Sequence, residues 1–402
     1  MSDTQKHTKP NVPDLRFPGF CGEWEQHLLS EYLEFKNGLN PSAKSFGEGI
    51  KFISVMDILN NPYITYDCIR ASVNASEKEK QEFNVEYGDI LFQRSSETLE
   101  DVGRANVYLD KKPALFGGFT IRGKKKGDYN PLFFKYLLDS PKARKKVIVK
   151  GAGAQHFNIG QEGLSSVSLY FPSKQEQKKI AELFELLDQR IAIQNKVIER
   201  YQSLIRAIIQ DSQQKTTDRI YLRDILTERK ELNANGYQIC SVSVIRGIVN
   251  QVEYLGRSFA AKETSHYHVV RKGDIVYTKS PTGAFPFGII KQSSIESPVA
   301  VSPLYGVYEP KSFEIGQYLH YYFCSPENAL NYLHPLIQKG AKNTINITNQ
   351  HFLDNKVSIP CKPVLKTTVA AIMFLANRCS IEEETHYLYS KQKEYFLKNL
   401  FI

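Results

Sequence analysis

The sequence predicts an α+β chain: two similar globular segments separated by an antiparallel pair of long coiled-coil helices, arranged as a pseudo-two-fold internal repeat. Three observations predict it. Lys174–Gln210 carries mixed charge and neither Gly nor Pro, so it reads as one long helix. A second stretch of the same kind, about Leu365–Leu400, closes the chain. The segments before these two helices repeat the same signals in the same order.

The repeat is carried by three matches. Lys272–Tyr277 (Lys-Gly-Asp-Ile-Val-Tyr) follows Tyr87–Phe92 (Tyr-Gly-Asp-Ile-Leu-Phe) at a spacing of 185. Tyr318–Pro326 follows Phe133–Pro141 at 185, and Asn346, Ile347 and Pro360 follow Asn158, Ile159 and Pro172 at 188. The chain therefore divides into 1–173, a globular segment with an N-terminal arm; 174–214, the first helix; 215–364, the second globular segment; and 365–402, the second helix. Two copies in one chain form a pseudo-dimer, whose natural ligand is a two-fold object.

Within the first copy, Met1–Val12 reads as a polar arm, and Pro13 and Pro18 deny the next stretch a regular helix. Leu28–Glu34 suits a short helix ending at Asn37-Gly38. Strand signals start at Ile50 and recur at Ile90–Phe92, Val102–Leu109 and Ala114–Ile121. Gln93–Asp101 is a polar loop. Pro131–Leu138 and a restart at Pro141 are helices, Gly151–Ala154 is a loop, and Leu164–Phe171 is a final strand stopped by Pro172.

In the first long helix Ile180, Leu183, Leu187, Val197, Tyr201, Leu204 and Ile208 follow heptad steps, interrupted by polar Arg190 and Gln194. The second offers Ile372, Leu375, Cys379, Leu388, Tyr395 and Leu400, with Glu382–Glu384 in its middle. Neither seam sustains a free helix, so the two are expected to bury them against each other. Arg190 and Gln194 are candidate docking positions for a partner or for the sister helix.

At 402 residues, 42% hydrophobic and 24% charged, the chain suits a folded soluble protein of two domains. Its net charge of +9 is concentrated: Lys111–Lys150 holds 12 Lys and Arg against Asp128 and Asp139. Such a segment favours a polyanion, most often nucleic acid. The six cysteines have no CxxC spacing, which fits free thiols in a reducing cytoplasm. Neither a signal peptide nor a membrane span is expected, so the location read from the sequence is cytoplasmic.

Catalytic signatures are missing where a nucleic-acid enzyme needs them. Asn60-Asn61-Pro62-Tyr63 lacks the first proline of an adenine methyltransferase turn, and Gly151-Ala-Gly-Ala154 is not followed by Lys-Ser/Thr. Glu228-Arg229-Lys230 has no Pro-Asp ahead of it to complete a nuclease site, and the histidines have no zinc spacing. No catalytic residue and no metal ligand is assigned.

What remains suits binding. The loops with Arg94, Ser95 and Ser96 and with Lys279, Ser280 and Thr282 occupy equivalent places after the Gly-Asp-Ile strands. Gln155, His156 and Asn158 correspond likewise to Lys342, Asn343 and Asn346. Amide side chains match adenine and cationic ones guanine in the major groove. Lys124, Lys125, Arg144, Lys145 and Lys146 in the basic segment are candidate phosphate contacts. The copies differ in loop residues, so each should read its own sequence. Two other classes stay open on the residues alone: a stand-alone DNA methyltransferase or nuclease, and a coiled-coil structural adaptor.

The arrangement resembles the specificity subunit of type I restriction-modification enzymes along essentially the whole chain. The resemblance rests on Pro13–Phe20 with Trp24, the Gly-Asp-Ile turns at Gly88 and Gly273, and the strand-to-helix passages at Phe171-Pro172 and Ile359-Pro360. Most specific is Pro172–Ile180, which looks like the family's P-x-x-x-E-Q-x-x-I; the second copy, at Lys362–Lys366, lacks the Glu-Gln. The resemblance implies two target-recognition domains on double-stranded DNA, each reading half of a split site, with the helices setting the gap. It also implies docking of two modification (methyltransferase) subunits, with Glu176 and Gln177 as candidate contacts, and of restriction (translocase/nuclease) subunits. S-adenosylmethionine, ATP and Mg would sit on those partners, adenine flipping included; this chain would bind no cofactor and contribute specificity alone.

Overall fold

The computed structural model describes residues 11–216, 219–255, 263–339 and 345–402. The chain forms two compact units, one of residues 1–195 with 384–402 and one of residues 196–383. The long helices are not units of their own: each lends one part to each unit.

The first unit is built on a four-stranded antiparallel sheet ordered Leu33–Asn37, Thr120–Lys125, Ile90–Gln93, Ala105–Val107. Ile90-Leu91-Phe92 is an unbroken apolar run because both faces of this strand are covered. Ile90 and Phe92 enter the main core with Val107, Ile121, Phe133 and Phe134, while Leu91 joins a second cluster with Ile53, Ile58, Tyr108 and Phe116. The helices Pro131–Asp139 and Pro141–Ile148 each start with proline at the first turn, and the Asn130 and Ser140 side chains cap them by accepting from Phe133 N and Ala143 N. The expected helix at Leu28–Glu34 shrinks to Leu29–Tyr32 between the strands Glu25–Leu28 and Leu33–Asn37. Leu29 is fully buried and Leu33 nearly so, and tertiary packing overrides local helix preference there.

The second unit repeats the plan. Its sheet runs Leu226–Glu228, Gly306–Pro310, Ile275–Tyr277, Ile290–Gln292, again antiparallel throughout. Helices Phe313–Phe323 and Pro326–Leu333 follow, capped by Ser312 and Ser325. Ile275 and Tyr277 face one core cluster and Val276 another, as in the first copy.

The first long helix spans Lys174–Gln214 and the second Lys362–Asn399, which starts three residues before the predicted Leu365 with Pro363 in its first turn. Within the first unit they run antiparallel: Phe184 stacks on Phe401 and Asp188 pairs with Lys393 at 2.5 Å. The predicted seams need correction. Ile180 and Leu187 are buried, yet so is Phe184, and Leu204 is exposed while Ile209 is buried. A straight helix drifts about 20° per heptad, so a register counted from Ile180 has left the buried face by Leu204. In the second helix Ile372 and Cys379 are buried as expected, as is Leu400 just past its end, but Leu388 and Tyr395 are exposed.

One described helix, Lys362–Asn399, is long and apolar enough by length and composition alone to cross a membrane. Part of that apolarity is core: Leu365, Val369, Ile372 and Cys379 are buried.

The arm after Val12 is pinned to the first unit. Leu15 N donates to Asn399 O at 2.9 Å, and Trp24 packs edge-on against Phe133 and Phe401.

Candidate nucleic-acid interface

The Gly-Asp-Ile motif is a turn lock. Gly88 has φ 91° and its O accepts from Tyr129 Oη at 2.8 Å. The Asp89 carboxylate accepts from Lys125 N at 2.8 Å and Glu86 N at 3.0 Å. Burial raises its pKa against those bonds. In the second copy Gly273 has φ 90°, and Asp274 accepts from Arg271 N and, bidentately, from Arg229 at 2.7 and 3.0 Å. This accounts for Arg229 as a buried-carboxylate partner rather than part of a nuclease site.

The locked strand ends at Gln93 and delivers the loop behind it to a fixed place. Arg94 N donates to Phe119 O and Ile159 N to Arg94 O. Ser95–Ser96 then pairs antiparallel with Phe157–Asn158, Ser95 opposite Asn158, and Ser95 Oγ donates to Asn158 Oδ1. Two loops far apart in sequence thus become one polar ledge. Gln155 and His156 are exposed in the hairpin closed by Ala152 and Asn158, whose N–H and C=O groups exchange bonds at 2.9 Å. Gly153 at φ 145° is required there, because a Cβ would lie 2.0 Å from His156 O. Gly151–Ala154 therefore opens a hairpin.

Beside the ledge lies an open cleft of about 490 Å³ lined by Asn37, Arg94, Asn158, Gln161 and Glu162 among others. Asn37 and Gln161 escaped sequence reasoning. Asn37-Gly38 was legible only as a helix stop, whereas it ends an edge strand facing this cleft.

The basic segment divides. Arg144 donates to Gly103 O, Glu100 O and Val102 O at 2.8, 2.9 and 2.7 Å, clamping the loop beneath the ledge. Burial, with Arg104 nearby, pushes its pKa down to about 10. Lys146 donates to Ser168 O at 3.0 Å and covers the Tyr170 ring, and Lys125 donates to Tyr129 O at 3.2 Å. These three cations are spent on internal carbonyls, since backbone oxygens at buried loop ends need donors. Lys124 makes a loose 3.7 Å pair with Glu86, and Lys145 is exposed.

Glu176 and Gln177 are bonded within the chain. Arg16 holds Glu176 bidentately at 2.8 Å through both oxygens. Gln177 accepts from Asn130 N and donates to Pro172 O, each at 3.0 Å. Both are buried, so the motif joins arm, sheet exit and helix start within the chain. Gln194 is also buried, while Arg190 is exposed.

In the second copy Lys279 is half-buried, its pKa lowered by burial, while Ser280 and Thr282 are exposed on a hairpin anchored by buried Phe285. Gln338–Lys339 pairs with Ile345–Asn346. Asn346 is described by its backbone alone, and Lys342 and Asn343 lie outside the described residues. Among the described residues no group of three His, Cys, Asp or Glu could hold a metal ion.

The family described as "Type I restriction modification DNA specificity domain" matches residues 22–200. The chain is 25% identical over 183 residues to the type I restriction enzyme EcoKI specificity subunit of Escherichia coli (strain K12). That match spans 44% of this chain and 39% of the relative, well under two thirds of its length. A type I restriction-modification system S subunit from M. genitalium has the same fold, with TM-score 0.60 at 14% identity over 97% of this chain and 99% of that one. A structure from work on complex assembly and conformational transition of the type I R-M system aligns with TM-score 0.51 at 12% identity, covering 93% and 96%. Residues 22–200 thus match the type I restriction modification DNA specificity domain, and the chain as a whole shares the fold of type I S subunits.

Proposed function

We propose that the chain is the non-catalytic DNA-reading subunit of a type I restriction-modification complex in the cytoplasm. Its two target-recognition domains, 1–173 and 215–364, each read one half of a bipartite site in double-stranded DNA, and the long helices set the gap. The observation that carries this reading is the ledge: Arg94, Ser95 and Ser96 meet Asn158 through a strand pair, next to a cleft bearing Asn37 and Gln161. Clustered amide and guanidinium groups on a rigid support suit base edges. Phosphate contacts fall to Lys124 and Lys145, with Lys126 and Lys150 also exposed. On the second copy Lys279, Ser280, Thr282, Lys342, Asn343 and Asn346 hold the equivalent role.

S-adenosylmethionine, ATP and Mg belong to the methyltransferase and restriction subunits. With Glu176 and Gln177 occupied internally, docking of those subunits shifts to the helix surfaces. In the first unit, Leu388 and Tyr395 are exposed seven residues apart on the second helix, forming an apolar stripe. Leu186 and Ile193 repeat the spacing on the first helix, with Arg190 between them. Leu388→Asp should abolish co-purification with the modification subunits without altering the unfolding of the chain itself; intact assembly would reject the stripe.

Genome-wide mapping of methylated adenines, with and without the gene, tests the main reading: a split motif should vanish on deletion. Adding one helical turn to both long helices should lengthen the gap in that motif and leave its half-sites unchanged. An unchanged gap rules out the helices as spacers. Methylation or cleavage by the purified chain alone would replace the proposal with a stand-alone enzyme.

A further inference from the structure

Helix Phe313–Phe323 packs across strand Ile290–Gln292, and that strand places Lys291 under the helix end at 6% exposure. Lys291 Nζ donates to Cys324 Sγ at 3.2 Å, and Cys324 is half-buried. A buried ammonium normally needs an anion. Among the described residues Lys291 forms no ion pair with a carboxylate, and sulfur is its hydrogen-bond acceptor. The imidazole beside it is neutral: His320 Nδ1 accepts from Gln292 N at 3.1 Å, and burial pushes its pKa down to about 3.

The first copy fills the same place with an oxyanion. At the repeat spacing of 185, His320 and Cys324 correspond to Lys135 and Asp139. Their helix, Pro131–Asp139, packs on Ala105–Val107, which corresponds to Ile290–Gln292. Lys135, also 6% exposed, holds the Asp139 carboxylate at 2.7 Å. In the second copy the cation comes from the strand and its partner is a thiol.

We propose that Cys324 is a modification site for hydroperoxides and that its oxidised form, a sulfenic acid, is held by Lys291. The thiol sulfur attacks one peroxide oxygen. The S–O bond forms as the O–O bond breaks; sulfur is oxidised by two electrons, the peroxide is reduced, and the thiol proton leaves with the departing oxygen, as water from hydrogen peroxide. Negative charge grows on that departing oxygen, and an ammonium beside the sulfur stabilises it. The product places an oxygen next to Lys291, in the role that Asp139 plays beside Lys135.

The other cysteines lack this arrangement. Cys21 and Cys361 are exposed, Cys68 donates to Thr65 O, and burial pushes the thiols of Cys240 and Cys379 up to about 11. Exposure alone would favour Cys21 and Cys361, so the order of reaction separates the two explanations.

The full-length chain is treated with limiting hydrogen peroxide and a sulfenic-acid trap, and each cysteine is quantified by peptide mass spectrometry. Cys324 should be trapped at least tenfold faster than Cys21 and Cys361, and unfolding in urea should erase that lead. Lys291→Met should slow Cys324 at least tenfold, and Lys291→Arg should restore most of the rate. The folded and urea-treated native chain decides the matter even where the methionine variant does not fold. A lead that survives urea, or Cys324 reacting no faster than Cys361, overturns the proposal. The outcome is independent of DNA reading, since neither Lys291 nor Cys324 belongs to the ledge or its counterpart.

Discussion

Phe401→Ala is expected to destabilise the first unit by about 3–5 kcal/mol, the cost of emptying a well-packed aromatic site. Phe401 is fully buried, with ring centroids 6.4 Å from Trp24, 5.8 Å from Phe133 and 5.8 Å from Phe184. It ties together arm, sheet-backing helix and first long helix. The surroundings cannot collapse into the gap, because Trp24 and Phe133 are held by separate elements. Chemical denaturation followed by tryptophan fluorescence reads this out directly: the chain has one Trp, and it touches Phe401. A shift below about 1 kcal/mol would mean the site relaxes freely, against the large-to-small rule for rigid cores. The second unit offers a contrast, since Ser212 Oγ meets Tyr318 Oη there at 2.9 Å. Ser212 Oγ also donates to Ile209 O at 2.7 Å, and Ser212→Ala should cost about 1–3 kcal/mol, because it leaves the buried Tyr318 hydroxyl without this partner.

Arg94→Ala should reduce site-specific modification by about 1–3 kcal/mol of recognition energy, roughly five- to 150-fold, and relax one half of the split motif only. The geometry makes this sharp. The Arg94 backbone is fixed on both sides, by Phe119 O and Ile159 N, so truncating the side chain leaves the ledge in place. Lys145→Ala, on exposed surface, should instead weaken binding evenly across sequences and lower the salt slope by about one. Methylation mapping combined with binding measured across salt concentrations separates the two. If Arg94→Ala weakened both halves equally, Arg94 would be a phosphate contact. Arg144→Ala is a different case, because it frees three loop carbonyls and should act through the shape of the ledge.

Much of the architecture is local and could be read from the sequence. The Gly-Asp-Ile turns are legible because the positive φ at Gly88 and Gly273 and one bond of each carboxylate, to the amide three residues before it, are local, while the bonds to Lys125 N and Arg229 are long-range. The Pro-started helices and the long Gly-free helices follow from residue propensities in the same way. Repetition at spacings of 185 and 188 makes the two copies visible in the sequence.

The candidate site was only half legible. Loops around Arg94 and Asn158 were flagged by position, yet the strand pair joining Ser95 to Asn158 links residues 63 apart, and no local signal predicts it. Exposure was the other hidden quantity. Glu176 reads as a surface carboxylate until Arg16, 160 residues away, is placed against it. Lys125, Arg144 and Lys146 read as phosphate ligands by charge, but the carbonyls they serve belong to loops that only the folded chain brings near. The sequence by itself determined the repeat, the long helices, the Pro-started helices and the charged, amide-rich loops, because these depend on neighbours along the chain. The tertiary structure alone decided which polar groups meet each other and which remain free for a ligand, because a side chain's partner is set by long-range topology and its availability by what that topology has already bonded to it.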